Sequence, residues 1–195
     1  MNDINNSMEK PARLFIAVES DAETQRRIAT LQQKLACSGA DVKWVKPENA
    51  HITLVFFGDT PAGEAEQIKS HMNETMRDFT PFQILLRGAG WFGTSKHPRV
   101  VWIGAIDPER KLERLQLKLR ETLRSLVPGK EAGRDFSPHL TLGRPRSSRN
   151  ALELVAAITK NADFHIGNLH VNKIVLMRSE LTPAGPCYIP MHTAQ

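Results

Sequence analysis

The chain of 195 residues has no long apolar run and no obvious targeting segment. Its longest apolar run, residues 100–106, is far shorter than the ~20 residues that a membrane-spanning helix needs. Residues 1–12 are polar and contain acidic side chains, which is typical of a flexible tail and not of a signal or transit peptide. These absences predict a cytoplasmic protein without a membrane span.

Cysteine is also scarce, since only Cys37 and Cys187 are present and no Cys-x-x-Cys pair occurs. Without a secretion signal, a disulfide is not expected. We expect both cysteines to be small apolar fillers. The sequence assigns neither of them a functional role.

What the chain does contain is typical of one globular domain. Hydrophobic residues make up 41% of it, which excludes the disordered and collagen-like classes. The sequence predicts one domain over residues 13–195, made of two lobes at roughly 13–90 and 99–195 between which strands can be exchanged. The net charge is +5, and the basic excess lies in the second half, which suits a phosphate-bearing partner.

The apolar pattern predicts the same order of elements in each half: strand, helix, strand, helix, strand. For the first half, the predicted strands are 13–19, runs within 43–57, and 82–87, with helices that start at the Ser20–Glu23 capping box and at Thr60–Pro61. For the second half, the predicted strands are 99–106, a strand at His139, 164–178 and 187–191. The predicted helices start at Asp107 and Ser148, and the first of them ends at Pro128–Gly129.

A short motif recurs at equivalent points of the two halves. His51-Ile52-Thr53-Leu54 and His139-Leu140-Thr141-Leu142 both lie on the second predicted strand of their half, 88 residues apart. A four-residue match alone is weak, but the matching order of elements makes chance less plausible. The sequence therefore predicts an internal duplication, with two lobes related by a pseudo-twofold axis.

The repeated motif predicts a catalytic cleft. On a strand, residues i and i+2 share a face, so each His/Thr pair faces the space between the lobes while the apolar pair anchors the strand. Displacement at phosphorus needs a base at the entering oxygen and an acid at the leaving oxygen, and imidazole serves either role near neutral pH. The hydroxyls of Thr53 and Thr141 can donate to the non-bridging oxygens. The catalytic candidates are thus His51, His139, Thr53 and Thr141.

Other motifs carry less information. The remaining histidines lack a repeated setting and are interpreted as structural, and no metal-site spacing occurs, so neither a metal nor a cofactor is expected. Residues 88–93 match Gly-x-Gly-x-x-Gly, but no helix start follows them. We interpret these glycines as the turn that joins the two lobes.

Together the motifs and their flanks identify a family resemblance that covers nearly the whole chain. The sequence resembles the RNA 2',3'-cyclic phosphodiesterases, or 2'-5' RNA ligases, of the two-histidine phosphoesterase superfamily. The resemblance rests on residues 13–19, 44–54, 99–102, 136–144, 179–181 and 185–188. It implies an α+β fold in which two lobes, each an antiparallel-rich sheet with helices outside, form a central cleft.

The resemblance also implies a reaction. Such enzymes open a terminal 2',3'-cyclic phosphate on RNA to a 2'-phosphomonoester, and some join tRNA halves through a 2'-5' linkage. The first histidine, here His51, is the proton donor and the second, His139, the proton acceptor. A phosphate-binding arginine follows the second motif, which makes Arg144 a substrate-binding candidate. Phe15 in the first strand is a further one.

Strand parity argues against Arg144, because a residue five positions after His139 points to the opposite face unless Gly143 permits a bulge. The expected partner is RNA with a cyclic phosphate end, tRNA fragments included, and the expected state is a monomer. Three alternatives stay open: a phosphodiesterase for 2',5'-oligoadenylate or small cyclic phosphates, a non-catalytic RNA-binding protein on the same scaffold, and a metal-dependent hydrolase.

Overall fold

The computed structural model describes residues 11–127, 135–182 and 185–195. The predicted tail, residues 1–12, lies outside these ranges except for its last two residues, of which Ala12 opens the first strand. The predicted helix end at Pro128–Gly129 also lies outside the described residues.

The described strands form one nine-stranded sheet in which each recorded pairing is antiparallel. The order across it is β7-β4-β5-β6-β3-β1-β8-β9, and the short β2 pairs with β6. The strands are β1 Ala12–Glu19, β2 Val42–Trp44, β3 His51–Thr60, β4 Phe82–Gly93, β5 Pro98–Ile106, β6 His139–Pro145, β7 His165–Val171, β8 Ile174–Thr182 and β9 Gly185–Ala194.

Helices pack against the sheet and bury the apolar side of the repeated motif. They are α1 Ala22–Ala36, α2 Ala62–Met76, α3 Lys111–Thr122 and α4 Ala151–Lys160, with a short 3-10 helix at Pro47–Asn49. Ile28, Leu31 and Leu35 of α1 are fully buried, as the sequence predicts for one face of that helix. The predicted α+β class, with an antiparallel sheet and helices outside it, is confirmed.

The two motif strands meet in the middle of the sheet. β3 and β6 pair through Ile52 and Leu140, which are equivalent residues of the two motif copies. Strand order is symmetric about this contact, with β3 matching β6 and β1 matching β5. This arrangement brings the histidines that precede Ile52 and Leu140 to adjacent strands.

Strands also cross between the halves of the chain. β4, from the first half, lies between β5 and β7, whereas β8 and β9, from the second half, continue the sheet beyond β1. The lobe bounds 13–90 and 99–195 stay a prediction of the sequence, and strand pairing runs across them.

All four predicted helix starts are wrong by one to a few residues. α3 begins at Lys111 and not at Asp107, whose carboxylate accepts from the Leu112 N–H at 2.6 Å. α1 is capped by Asp21, whose carboxylate accepts from the Thr24 N–H at 2.8 Å, because the Ser20 hydroxyl donates instead to the Ala50 carbonyl. Thr60 ends β3 and Pro61 caps α2. Asn150 precedes α4 in place of Ser148, without a side-chain cap bond. For α1 and α2, a tertiary or strand contact occupies the residue that local capping rules favour.

The glycines at 88–93 belong to strand β4 and are not the turn between lobes; residues 94–97 make that connection. Gly90 lies opposite Trp102, and a Cβ on Gly90 would come within 2.3 Å of the indole ring. Because Gly90 has no side chain, it leaves room for the Trp102 ring, which lies across β4.

Candidate active site

Each motif separates into a buried apolar pair and a polar pair on the other face. Ile52 and Leu54 are 0% and 3% exposed, whereas His51 is half-buried and Thr53 is exposed. In β6, Leu140 and Leu142 are fully buried and His139 and Thr141 are half-buried. The alternation of a strand thus directs both His/Thr pairs away from the helices.

The two imidazoles are held in the same way. Nδ1 of His51 lies 2.8 Å from the Asn49 carbonyl oxygen, and Nδ1 of His139 lies 2.7 Å from that of Ser137. In both motifs the acceptor is the residue two positions earlier. A carbonyl only accepts, so Nδ1 carries the proton and Nε2 is left to exchange one.

Aromatic rings enclose His51. Phe15 stacks on its imidazole at a centroid distance of 4.8 Å, and Tyr188 meets it edge-on at 5.1 Å. Phe15 belongs to a small apolar cluster, with Ala17, Val175 and Met177, on this face of the sheet. Burial lowers the pKa of His51 below its ordinary value, and the charge of His139 lowers it further.

His139 also lies beside aromatic rings. Phe92 meets it edge-on at 5.0 Å, and Trp102 lies 6.5 Å away. Trp102 of β5 pairs with Thr141, the register position that Ala17 of β1 has beside Thr53. Burial lowers the pKa of His139, and the nearby Arg144 cation lowers it further. Burial thus favours the neutral form of both imidazoles.

The predicted site residues border two adjoining cavities. A cleft of about 560 Å³ is lined by His51, Thr53, Thr141 and Arg144. A second cavity, of about 430 Å³, is lined by His139 and shares Thr53 with the first. The predicted site residues thus line two cavities that share Thr53, with His51 on the first cavity and His139 on the second.

Arg144 reaches the cleft because β6 contains an additional residue. Val101 of β5 pairs with Gly143, but the next residue, Trp102, pairs with Thr141, so Leu142 has no partner on β5. This bulge changes the parity that would turn Arg144 away from His139. A Cβ on Gly143 would lie 2.7 Å from a methyl of Val42, which explains why glycine occupies this position under β2.

Phe15 is 4% exposed and lines the His51 cleft, where its ring contacts His51 and Tyr188. Its ring supports the imidazole, and contact with a substrate stays a prediction. The roles assigned to His51, His139, Thr53, Thr141 and Arg144 are proposals, taken up below.

Sequence reasoning missed several residues that line the His51 cleft. Tyr188 was noted only as part of the closing segment that resembles the family. Arg13 lies two residues before Phe15 in β1 and therefore on the same face of the strand, which could have indicated it. Nothing in the local pattern indicates how β2 lies over β6, which brings Lys43 to the same cleft. The missed lining residues include Arg13, Lys43, Trp44, Lys46, Phe56 and Tyr188.

Both cysteines are exposed and free, so the prediction that they fill the core is wrong. Cys37 follows α1 and Cys187 lies on β9. Within residues 11–127, 135–182 and 185–195, no cluster of three or more His, Cys, Asp or Glu side chains is placed to hold a metal ion. None of the helices in the described ranges has the length and apolarity to cross a membrane.

Comparisons with known proteins agree with this geometry. The chain is 39% identical over 179 residues to an RNA 2',3'-cyclic phosphodiesterase of Methanothermobacter thermautotrophicus, covering 92% of this chain and 96% of the relative. It is 30% identical to a protein of the same name from Thermotoga maritima, covering 94% and 95%.

Solved structures show the same fold. The TT0787 protein of Thermus thermophilus superposes with a TM-score of 0.78 at 28% identity, covering 93% of this chain and 96% of that one. E. coli LigT complexed with 3'-AMP gives 0.75 at 27% identity, covering 94% and 97%. The model of the LigT like phosphoesterase family matches twice, at residues 18–102 and 105–188, and each match contains one His-x-Thr-x motif. The chain belongs to the LigT-like phosphoesterase family.

Proposed function

We propose that the protein hydrolyses the 2',3'-cyclic phosphate at the end of an RNA to a 2'-phosphomonoester, by acid–base catalysis between His51 and His139 without a metal ion. The carrying observation is the matched pair of imidazoles, each with Nδ1 held by a main-chain carbonyl two residues earlier. The names of the relatives, and the family match across both halves, support this activity.

In the proposed reaction, His139 Nε2 removes a proton from water as the water oxygen bonds to phosphorus. The bond from phosphorus to the 3' oxygen breaks on the opposite side, and His51 donates its Nε2 proton to that oxygen. The reaction ends with His51 neutral and His139 protonated, and solvent restores the starting state. Each proton transfer is worth about 10²–10⁴ in rate.

The remaining cleft residues act on the charge of the phosphate. Thr53, Thr141 and Arg144 line the cleft. In the proposed reaction the threonine hydroxyls donate to the non-bridging oxygens, and Arg144 supplies a cation. The Arg144 charge also lowers the pKa of His139, which keeps that imidazole neutral, as a base must be.

His51 has to be protonated to act as the acid, although burial lowers its pKa in the free protein. A bound phosphodiester anion favours the charged imidazolium and offsets this effect. The substrate therefore helps to protonate its own acid catalyst. In 2'-5' ligation, a 5'-hydroxyl would take the place of water on the His139 side.

The test measures the turnover of three substrates in excess chelator and compares their rates. The substrates are an oligonucleotide that ends in a 2',3'-cyclic phosphate, 2',5'-oligoadenylate, and small cyclic phosphates. Hydrolysis of the RNA end in chelator, faster than that of the other two, supports the proposal. If hydrolysis occurred only after a metal ion was added back, the metal-dependent hydrolase would be favoured. If the RNA bound without being hydrolysed, the non-catalytic RNA-binding protein would be favoured. A monomeric state and a cytoplasmic location stay predictions.

A further inference from the structure

The His51 cleft carries more positive charge than a terminal cyclic phosphate needs. Arg13, Lys43, Lys46 and Arg144 line it, and no Asp or Glu is among the described residues that do so. A cyclic phosphodiester has a single negative charge, and the proposed function assigns Arg144 to it. Three cations are left without a role in the reaction.

Two of these cations face each other across a strand pair. Lys43 of β2 lies directly opposite Arg144 of β6 in register. Side chains of directly opposed residues are close neighbours on one face of a sheet, and like charges there destabilise the pair. Neither Lys43 nor Lys46 forms an ion pair with any described residue. With Arg144 on the terminal phosphate, a second phosphate bound by Lys43 offsets this repulsion.

The two lysines that line the cleft lie close together in the chain. Lys43 and Lys46 belong to β2 and the residues that follow it, and both are exposed at the cleft. Trp44, between them, lines the same cleft and offers a ring on which a base can stack. Proteins that bind single-stranded nucleic acids combine cations, which contact the phosphates, with aromatic rings, on which the bases stack.

We propose that Lys43 and Lys46 bind the phosphates of the nucleotides preceding the cyclic end, so that the cleft recognises an oligonucleotide terminus in preference to a mononucleotide. The inference rests on the proposed function, since Arg144 is taken to hold the terminal phosphate. The ligand class is a single-stranded RNA end that contains at least one internal phosphodiester.

The experiment compares kcat/KM for a pentanucleotide that ends in a 2',3'-cyclic phosphate with kcat/KM for a nucleoside 2',3'-cyclic phosphate. For K43A and K46A we expect the ratio of the two values to fall by about two- to fivefold each, the range for exposed ion pairs. The salt dependence of the pentanucleotide reaction should also weaken, by about 0.7 in the log–log slope for each lost phosphate contact. K160A, an exposed lysine in α4 outside the cleft, should leave the ratio unchanged.

Equal losses on both substrates, or an unchanged ratio in K43A and K46A, would overturn the inference while leaving the proposed function standing. If the wild-type protein hydrolyses neither substrate, the proposed function fails instead. Fluorescence anisotropy with a 5'-labelled pentanucleotide then tests the lysines independently, since weaker binding by K43A and K46A, but not by K160A, supports the upstream phosphate contacts.

Discussion

The main-chain carbonyls that hold His51 and His139 orient each ring without adding a charge. Asn49 and Ser137 supply the carbonyl oxygens, at 2.8 and 2.7 Å from Nδ1. A carboxylate in that position would raise the pKa of the imidazole strongly, whereas here burial dominates and the pKa of each ring falls. The rings are thus oriented, neutral and ready to change protonation state when an anion binds.

Removal of either imidazole should abolish most of the proposed activity. We expect H51A and H139A each to lose about 10²–10⁴ in kcat on an RNA with a cyclic phosphate end, because each removes one proton transfer. The double variant should be little worse than the single ones, since the pair acts as a unit. H170A, on edge strand β7, is the matched control, and near-full kcat in either motif variant would contradict the assignment.

The pH profile of kcat/KM should be a bell with its maximum below pH 6.5. The base, His139, must be neutral, so the activity falls on the acid side of the profile as His139 is protonated. The acid, His51, must be protonated, so the activity falls on the basic side as His51 loses its proton. The pKa of each histidine lies below the ordinary value of 6.5. In the complex the phosphate anion raises the pKa of both imidazoles, so the maximum of kcat lies at higher pH. Steady-state kinetics that show a flat profile from about pH 5 to 9 would contradict two-histidine catalysis.

Arg144 should influence both binding and this profile. Its charge lowers the pKa of His139, so R144Q should raise that pKa and move the acid limb of kcat/KM to higher pH. Loss of the cation should also reduce kcat/KM itself. R146Q, one residue beyond β6, is the control. If the acid limb of R144Q did not move, the charge of Arg144 would have less effect on the pKa of His139 than its position indicates.

At the scale of elements, the β6 bulge directs Arg144 into the cleft, and a buried glutamine supports it. Gln32 of α1 is 8% exposed, and its Nε2 donates to the carbonyls of Val45 and Leu142 at 2.6 and 2.9 Å. Val45 N–H also donates to the Leu142 carbonyl. The amide thereby joins the end of β2 to the unpaired residue of the bulge.

Loss of this amide should therefore destabilise the protein. We expect Q32A to lower the free energy of unfolding by about 1–3 kcal/mol, because it leaves the half-buried Val45 carbonyl without this donor and removes one donor from the buried Leu142 carbonyl. Q33A, the exposed neighbour in the same helix, should change stability far less. Chemical denaturation measures both variants, and equal midpoints for them would mean that the amide does not support the bulge.

Local pattern predicts element types better than element ends. The face of α1 was predictable because Ile28, Leu31 and Leu35 recur at helical spacing. The start of α1 was not, because the hydroxyl of Ser20 bonds to Ala50, thirty residues away. The glycines of β4 were misassigned for a similar reason, since Gly90 accommodates Trp102 from the neighbouring strand.

At the scale of the whole molecule, duplication was visible in the sequence and the exchange of strands was only anticipated. The spacing of His51 and His139 predicted two equivalent strands, and the pairing of Ile52 with Leu140 places those strands side by side. Which strands flank them depends on packing across the sheet. For this reason the histidines and threonines could be named from the repeated motif. Arg144 and Phe15 were named only from the family resemblance, and the rest of the aromatic and basic lining of the cleft was not predicted.

The two-histidine account is tested most directly by the identity of the product. The proposed assignment puts the two histidines on opposite sides of the phosphate, which fixes the line of displacement and expels the 3' oxygen. An RNA with a 2',3'-cyclic phosphate end, treated in excess chelator, should yield a 2'-phosphate as the dominant product by phosphorus NMR against authentic standards. A predominant 3'-phosphate would contradict the assigned axis, and a mixture of the two would contradict the claim that the cleft fixes the substrate.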